Sequence, residues 1–383
     1  MGVLRIERTR AHEWATRPIG AAWRSFDLQL TIYALLLASI GLAMAYSNSN
    51  DGVLEGGSTF LRGLMWAGIA TVVFTAAALF DYTWLKTFAW PIYGINLGLL
   101  VLTLVIGKGV GGASRWVSFG GIQFQFSELA KILMIVVLAN YLSRRERNLD
   151  SLGSILGAGL LVGPPAVLVL LQPDLGTSLV FGAILGGTLF MSGASLKWLG
   201  ILAAGVVAAV PVVWANVLRD YQKQRLLSFL DPAADPQGSG YQLLQSQAAV
   251  SSGGLLGRGL ASGSQAQADL LPVQSTDFVF AILAQELGFV GGVVVFALFV
   301  ALLWRIATSA WRSRDPFGLM LGAGLASMIL FQLIVNIGMV LGIMPITGIP
   351  LPFVTHGGAS LVSRALGLGL LQSINIHQQR AEW

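Results

Sequence analysis

Asp277 is the carboxylate whose place in the sequence best suits it for chemistry. It ends a long polar segment, and from Phe278 the chain stays apolar through residue 303, which is long enough to cross a bilayer. We therefore expect Asp277 at the membrane surface, where it can meet both a lipid and water. A carboxylate placed there can act as a general base. The alternative is that Thr276 and Asp277 only cap the helix that begins at Phe278.

Glu128 and Lys131 form a second candidate group. They lie three residues apart on one face of a predicted helix, so they can form an ion pair and lower the cost of bringing charge into the membrane. A purely structural pair is the alternative. Because intramembrane ionisable groups usually face a cavity, and because Arg115 precedes the pair on the predicted outer side, the three residues favour a polar pocket that opens outward.

The remaining isolated polar residues have plainer interpretations. Asp174 in QPDLGT lies at a turn between two apolar spans and is predicted to cap a helix. Glu286 is predicted to be buried against Arg364. His356 is a single histidine in a segment rich in Gly and Pro, and one histidine does not predict a metal site.

The composition indicates the class of protein. Of 383 residues, 55% are hydrophobic and only 11% are charged, against about 25% charged in soluble proteins, so the chain is predicted to be an integral membrane protein. It has no cysteine, which excludes disulfides, thiolate nucleophiles and zinc sites built from Cys. The net charge of +5 comes largely from short basic segments between apolar spans, which favours membrane topology over nucleic-acid binding.

The apolar pattern predicts an all-α, polytopic membrane protein with ten transmembrane helices. Basic segments fall on one side of the predicted membrane, so both termini are expected in the cytoplasm. Residues 1–26 form a cytoplasmic N-terminal segment, and residues 27–383 form one transmembrane domain. The predicted spans are residues 28–46, 61–80, 88–106, 129–142, 155–171, 175–191, 198–214, 278–303, 317–343 and 359–374.

One long outer loop, residues 218–277, separates the seventh and eighth predicted spans. It far exceeds the usual loop of about 4–6 residues, and structured loops of such length are usually functional. Residues 231–240 have turn composition, residues 241–250 predict a short amphipathic helix, and a glycine-rich return follows. A solvated surface loop is the alternative.

Several motifs spread along the chain resemble those of one family, the SEDS proteins, which include the RodA and FtsW membrane proteins of bacterial elongation and division. Residues 220–232, DYQKQRLLSFLDP, are more like the RodA branch. The motifs are GASRWVSFGGIQFQFSELAK (112–131), QPDLGT (172–177), FLDPAADPQGSGYQLLQSQAAVSSGGLLGRG (229–259), LPVQSTDFVFAILAQELG (271–288) and NIGMVLGIMPITGIPLPFVTHGGAS (336–360).

The resemblance implies a ten-helix glycosyltransferase in the bacterial cytoplasmic membrane. Such a protein polymerises lipid II into peptidoglycan strands and works with a class B penicillin-binding protein that cross-links them. The family's essential carboxylate falls on Asp277. The chain departs from the family pattern at several positions, including Gln274 and Ser275, where the family usually has Glu and His, and at residues 355–358, where it usually has SYGG.

In that chemistry, Asp277 would take the proton from the acceptor hydroxyl, while the leaving group is a lipid pyrophosphate whose charge must be neutralised. Lipid II and membrane lipid are then the expected ligands, with Mg²⁺ or Mn²⁺ as candidate cofactor and no metal-ligating residues assigned. Glu128 belongs to the same substrate pocket. The candidate phosphate-binding cations are Arg115, Lys131, Lys223, Arg225 and Arg258.

Two rival functions fit parts of the sequence. A transporter that flips lipid II unaltered would also use a cavity with buried charges. A scaffold that only recruits the cross-linking enzyme would explain the helices but not those charges. The long outer loop that ends in Asp277 favours the enzyme over both.

A stripe of small residues predicts where a single-span partner would pack. Small side chains allow close helix contact within lipid. The predicted docking surface consists of Gly318, Gly322, Gly324 and Ala326.

Overall fold

The computed structural model of the chain describes residues 25–47, 58–110, 113–119, 122–145, 149, 151–235, 238–260, 277–355 and 357–378. Most of the predicted N-terminal segment, the end of the outer loop with Gln274 to Thr276, and His356 lie outside these described residues. The helices are α1 (Leu28–Ser47), α2 (Thr59–Leu79), α3 (Thr83–Thr87), α4 (Ala89–Ile106), α5 (Phe126–Ser143), α6 (Leu152–Leu171), α7 (Leu175–Met191), α8 (Leu196–Asn216), α9 (Asp220–Leu230), α10 (Ser239–Gly253), α11 (Val279–Trp311), α12 (Pro316–Val340) and α13 (Gly358–Gln378), with a 3₁₀ turn at Pro232–Ala234.

Each predicted span contains a helix, and the chain is a multi-pass membrane protein. Among the described residues, eight helices are long and apolar enough to cross a membrane: α1, α2, α4, α5, α6, α8, α11 and α12. The helix α7 is apolar but has 17 residues, and α13 carries Arg364 among several polar side chains. The total of ten spans and the side on which the termini lie stay predictions.

The helices differ in how much of their surface the protein covers. Most of α5 and α12 is buried, and α12 packs against α5, α7 and α11. None of the residues of α8 is buried. Because apolar residues on α5 and α12 meet protein on nearly all sides, these two helices form the rigid centre that carries the site, whereas α8 lies at the periphery.

The prediction of an all-α fold needs one correction at the outer segment between α4 and α5. This segment forms three short antiparallel strands, β1 (Lys108–Val110), β2 (Ala113–Phe119) and β3 (Ile122–Phe124), in the order β1-β2-β3. Aromatic and β-branched residues favour strands, and the segment contains Trp116, Val117 and Ile122. The strands β1 and β3 have three residues each, and the seven residues of β2 do not alternate strictly between apolar and polar, so the segment was predicted only as polar.

The predicted span 278–303 is also not one continuous helix. Gly288 has φ 67° and ψ −168° and interrupts α11, a conformation that glycine adopts far more readily than other residues. The part after the break, residues 289–311, has about 34 Å of helix at 1.5 Å per residue and suffices to span the apolar layer. The part before it, residues 279–287, is therefore a separate short helix that starts beside Asp277.

The chain that follows α10 pairs with this break. The N–H groups of Arg258 and Gly259 donate to the C=O groups of Gln285 and Glu286, at 3.0 Å each. In the other direction, residues 289 and 290 donate to the C=O groups of residues 254 and 255, at 2.9 and 3.1 Å. These four bonds satisfy backbone groups that the interrupted helix leaves unpaired, and they fasten the outer segment to the short helix.

Two glycines make this close approach possible. A Cβ atom on Gly257 would overlap the C=O of Glu286, and one on Gly288 would lie 2.6 Å from the C=O of Leu255. Gly257 also has a positive φ of 81°. We call residues 254–259 and 285–290 together the backbone clamp.

The predicted partner surface is wrong as a lipid-facing stripe. Gly318, Gly322 and Gly324 are buried inside the bundle. A Cβ atom on Gly322 would overlap Ala310 of α11, and one on Gly324 would lie 2.8 Å from Ile135 of α5. Small residues permit close helix packing within one chain as well as between chains, and here they serve the former.

Polar contacts gather the ends of several helices at the end of the bundle remote from Asp277. Arg305 pairs with Asp27 at 2.6 Å. The fully buried Gln372 donates to the C=O of Asp27 at 2.7 Å and to Thr31 Oγ1 at 3.1 Å. These contacts join α1, α11 and α13.

Candidate functional site

Asp277 and two other predicted site residues line one cavity of about 200 Å³. The cavity lies where β2, the starts of α5 and α7, the residue before the short helix of α11, and the segment between α12 and α13 meet. Its lining is polar for a protein of this composition. The lining residues are Arg115, Trp116, Gln125, Glu128, Asp174, Thr177, Asp277, Gly348, Pro350, Thr355, Gly357, Ala359 and Ser360.

Asp277 is half-buried at this cavity. Its backbone C=O accepts a hydrogen bond from Asn336 Nδ2 at 2.9 Å. Phe278, not Asp277, occupies the N-cap position of α11, and its side chain makes no capping bond. Thr276 lies outside the described residues, so capping stays the alternative interpretation of Asp277.

Glu128 and Lys131 form the predicted ion pair, with Lys131 Nζ 2.6 Å from Glu128 Oε1. Both side chains are buried at the start of α5, and Glu128 lines the cavity while Lys131 lies behind it. Arg364 of α13 adds a second buried cation, its Nη2 3.9 Å from Glu128 Oε2. One carboxylate is thus shared by two cations, and the cluster carries a net positive charge when all three side chains are ionised.

The predicted packing of Glu286 against Arg364 is wrong. Glu286 accepts a hydrogen bond from Ser47 of α1. Arg364 instead donates to Ser360 Oγ at 2.8 Å and faces Glu128. The break at Gly288 ends the short helix directly after Glu286, so helical spacing from Asp277 could not indicate its neighbours.

Arg115 joins three elements at the edge of the cavity. Its Nη2 donates to the C=O of Pro173, before α7, and lies 3.3 Å from the hydroxyl of Tyr221 on α9. Tyr221 donates to the same C=O at 2.7 Å. The Nε of Arg115 is buried and has no hydrogen-bond partner among the described residues.

The other three predicted cations differ in their distance from Asp277. A Cβ atom on Gly348 would lie 3.4 Å from Asp277 Oδ2 and 3.7 Å from Arg225 Nη1, so these two groups flank the same glycine. Lys223 is half-buried on α9 and does not line the cavity. Arg258 bonds the C=O of Ser252 through Nε at 3.0 Å and lies at the backbone clamp.

Asp174 caps α7 as predicted, because its carboxylate accepts from the backbone N–H of Thr177 at 3.1 Å and from the hydroxyl of the same residue at 2.9 Å. Gln125 Nε2 donates to Asp174 Oδ2, the oxygen that also accepts the Thr177 hydroxyl, at 3.2 Å. Among the described residues, no group of three or more His, Asp or Glu side chains could hold a metal ion. The carboxylates at the cavity thus do not fit a metal site made by the protein alone.

A second carboxylate organises the outer segment. Partial burial opposes ionisation of Asp235, but hydrogen bonds from Ser239, Ser228 and the backbone outweigh it and lower the pKa of this carboxyl group. Ser239 donates through both N–H and hydroxyl, at 2.8 and 3.0 Å. The predicted helix 241–250 is confirmed as part of α10, and Asp235 ties its start to α9.

Comparison with known proteins accounts for this architecture. The family model of the FtsW, RodA and SpoVE cell cycle proteins matches residues 27–380. The chain belongs to this family.

Members of the FtsW/RodA/SpoVE family with similar sequences and structures cover almost the whole chain. Peptidoglycan glycosyltransferase MrdB of Escherichia coli (strain K12) is 36% identical over 352 residues, 91% of this chain and 93% of the relative. A chain from a peptidoglycan synthase complex, described for its coordination of polymerization and crosslinking, superposes with a TM-score of 0.78 at 31% identity, covering 92% of this chain and 98% of that one. The rod shape determining protein RodA of Thermus thermophilus gives 0.69 at 27%, covering 94% and 99%. The protein described here is therefore a glycosyltransferase.

Two residues close to the cavity, Asn336 and Arg364, were not predicted as site residues. Asn336 was only part of a motif, and Arg364 was assigned to another partner. A buried Asn or Arg in an apolar helix needs polar partners, so their presence in α12 and α13 was a usable signal. Which partners they meet depends on contacts distant in sequence, and the sequence pattern carries no information on those.

Proposed function

We propose that this glycosyltransferase polymerises lipid II into peptidoglycan glycan strands at the outer face of the bacterial cytoplasmic membrane, in support of cell elongation. The relatives that are named peptidoglycan glycosyltransferases support the product. The RodA-like sequence of α9 and the similarity to rod shape determining RodA support the elongation role. The eight long apolar helices support a reaction at a membrane, where a lipid-linked substrate resides.

The observation that carries the catalytic assignment is the position of Asp277. Its half-buried carboxylate shares one cavity with the guanidinium of Arg115 and the ion-paired Glu128. A general base must reach the proton it removes, and an anionic leaving group must meet positive charge. Asp277 and Arg115 supply these two requirements from different walls of the cavity.

In the proposed reaction, the acceptor hydroxyl oxygen attacks the sugar carbon that carries the lipid pyrophosphate. The new C–O bond forms as the bond from that carbon to the pyrophosphate oxygen breaks, and the hydroxyl proton passes to Asp277. The pyrophosphate departs with the electron pair and needs charge neutralisation rather than a proton. One carboxylate therefore suffices, whereas glycoside hydrolysis commonly uses a second as an acid.

Arg115 is the best placed of the predicted cations for the phosphates, because it is the one of the five that lines the cavity. Arg225 lies near Asp277 across Gly348. Lys131 does not line the cavity and would act on the phosphates through its ion pair with Glu128. A Mg²⁺ or Mn²⁺ requirement remains a prediction from the leaving-group chemistry, and we assign no step to a cation that the described side chains do not fit.

The proposed partner is a class B penicillin-binding protein that cross-links the strands. The similarity to a chain from a synthase complex that couples polymerization and crosslinking supports this proposal. The buried position of Gly322 and Gly324 removes the surface that the sequence suggested for docking. Other lipid-facing helix surfaces are available for such a partner.

The test is polymerisation by purified protein with its transpeptidase partner, lipid II and divalent cation, with products resolved by size. Asp277→Asn keeps the side-chain shape and removes the basic carboxylate. We expect its glycan synthesis to fall by roughly 10²- to 10⁴-fold, the usual range for loss of a general base, with normal folding and partner binding.

Two outcomes would contradict the proposal. Near wild-type polymerisation by Asp277→Asn would remove the catalytic assignment. A wild-type protein that makes no polymer but moves lipid II across vesicles would support the flippase, which the buried charges at the cavity also suit.

A further inference from the structure

We propose that Asn336 is a positioning residue that sets Asp277 for proton transfer by tying its backbone to the opposite wall of the cavity. The inference rests on the proposed role of Asp277 as the base. It concerns a residue of α12 that does not line the cavity itself.

Asn336 lies four residues before the end of α12 and is fully buried. Its single amide nitrogen donates to two backbone carbonyls, that of Asp277 at 2.9 Å and that of Ile349 at 2.8 Å. An amide NH₂ group has two hydrogens, so both donors are used. Both distances are in the range of well-formed hydrogen bonds.

The two carbonyls belong to segments that form different walls of the cavity. Asp277 comes directly before the short helix of α11, and Ile349 lies between the lining residues Gly348 and Pro350. The latter segment has no regular secondary structure, so its carbonyl groups depend on tertiary partners. Asn336 therefore fixes the spacing between these walls.

That spacing bears on the reacting group. A Cβ atom on Gly348 would be in van der Waals contact with Asp277 Oδ2, at 3.4 Å. A shift of either segment would move the carboxylate relative to the wall it faces and to Arg225 beyond it. Misplacement of a reacting group by about 1 Å can cost roughly 100-fold in rate.

The neighbouring structure explains why such a tie matters. The short helix after Asp277 ends at the break at Gly288, so the long spanning helix does not rigidly hold it. The backbone clamp holds the far end of this short helix through residues 285 and 286. Asn336 holds the near end, and it does so from α12, a helix most of whose residues are buried.

The first variant is Asn336→Leu, which keeps a similar side-chain volume and removes both donors. We expect kcat for glycan polymerisation to fall roughly 10- to 100-fold with KM for lipid II changed less than about threefold, since the reacting group moves while the phosphate-binding cations stay. Asn336→Gln keeps the donors but displaces the amide by one methylene, and it should lose less activity in the same direction. This second variant keeps the test decisive if Asn336→Leu does not fold.

Gln372→Leu is the matched control. Gln372 is also a fully buried amide that donates to two acceptors, but it lies beside Asp27 at the remote end of the bundle. Its variant should lose thermal stability to a similar degree and retain the wild-type kcat. A fall in kcat that follows stability equally in both variants would overturn the positioning role.

The double variant Asp277→Asn/Asn336→Leu provides the readout that a merely structural role would not give. If Asn336 acts through the Asp277 carboxylate, its removal should change kcat little once that carboxylate is absent, whereas independent effects multiply. A further 10-fold fall in the double variant would overturn the inference.

Failure of this inference and failure of the proposed function give different results. If Asp277→Asn is inactive while Asn336→Leu and Asn336→Gln retain the wild-type kcat, Asp277 remains the base and Asn336 is not its positioning residue. If Asp277→Asn itself polymerises at the wild-type rate, the catalytic assignment fails first, and the inference fails with it.

Discussion

Glu128 and Asp277 line the same cavity, yet the chain holds these two carboxylates in different ways. Glu128 starts the deeply buried helix α5 and is 3% exposed, with Lys131 at 2.6 Å and Arg364 at 3.9 Å. Asp277 is half-buried and precedes a short helix that ends at a break. The backbone C=O of Asp277 accepts a hydrogen bond from Asn336.

The difference separates two uses of negative charge. A base must take up a proton during each turnover. If Glu128 did so, two buried cations would be left without a counter-charge, which is costly inside a membrane protein. Asp277 lies outside this buried cluster of Glu128, Lys131 and Arg364, so we propose Asp277 for proton transfer and Glu128 for holding positive charge near the phosphates.

The largest stability effect should come from neutralising Glu128. Glu128→Gln leaves Lys131 and Arg364 buried without their shared carboxylate, and we expect it to cost about 3–5 kcal/mol of folding free energy. Lys131→Met should cost less, because Arg364 remains beside Glu128 as a counter-charge. Thermal unfolding in detergent measures both, and equal losses would show that Arg364 does not share the carboxylate.

A smaller loss of stability is expected from a substitution at Gly288, the break in α11. Gly288→Ala puts a side chain where φ is 67° and where a Cβ would lie 2.6 Å from the C=O of Leu255. The strain alone should cost about 1–3 kcal/mol. Activity should also fall, because the clamp holds the short helix that follows Asp277.

Gly292→Ala is the control for this change. It lies on the same helix, and its added Cβ would make ordinary contact with Phe280 at 3.6 Å. Alanine also favours helix over glycine, so the variant should be as stable as the wild type or more so. A Gly288→Ala protein that unfolds at the wild-type temperature and polymerises at the wild-type rate would rule out a constraining clamp.

The two carboxylates also differ in how well the sequence revealed their surroundings. The pair of Glu128 and Lys131 is confirmed, since three residues along a regular helix fix which side chains meet. The helices of the spans and α10 could likewise be predicted from apolar length and helical spacing. Asp174 as a cap follows from local chemistry at a turn.

What the sequence did not reveal depends on contacts between distant residues. Gly288 lies inside an apolar run that is equally compatible with an unbroken helix, and only its pairing with residues 254–259 shows the need for a break. Arg364 was assigned to Glu286 for the same reason. Two of the strands at 108–124 have three residues each, and β2 does not alternate strictly between apolar and polar residues, so no periodic signal separates the segment from a polar loop.

Arg115→Ala should affect substrate binding more than folding. It removes a guanidinium that lines the cavity, and loss of hydrogen bonds to a charged group typically costs about 1.5–3 kcal/mol. We therefore expect KM for lipid II to rise by roughly 10-fold or more. Tyr221→Phe, which keeps the guanidinium and removes only the hydroxyl near it, should change KM much less, and an unchanged KM in Arg115→Ala would contradict its place among the phosphate ligands.

The smallest effects should distinguish the remaining predicted cations. Neither Arg225 nor Lys223 lines the cavity, but Arg225 flanks Gly348 together with Asp277. The guanidinium of Arg258 is exposed and already bonds the C=O of Ser252, and its backbone N–H would stay in the clamp after substitution by Ala. Exposed charges of this kind contribute about 0–1 kcal/mol.

We therefore expect Arg225→Ala to lower polymerisation at limiting lipid II by a few-fold, and Lys223→Ala and Arg258→Ala to stay within about twofold of the wild type. The three variants remove similar long basic side chains, so they serve as controls for one another in initial rates measured on one substrate preparation. Of the three residues, only Arg225 lies near Asp277. The difference between the rate of Arg225→Ala and the rates of the other two variants therefore shows whether the phosphates bind close to Asp277. An equal loss of rate in Arg258→Ala and Arg225→Ala would contradict this arrangement. It would instead place the phosphates near α10 and the backbone clamp, at the end of the short helix that is remote from the cavity shared by Glu128 and Asp277.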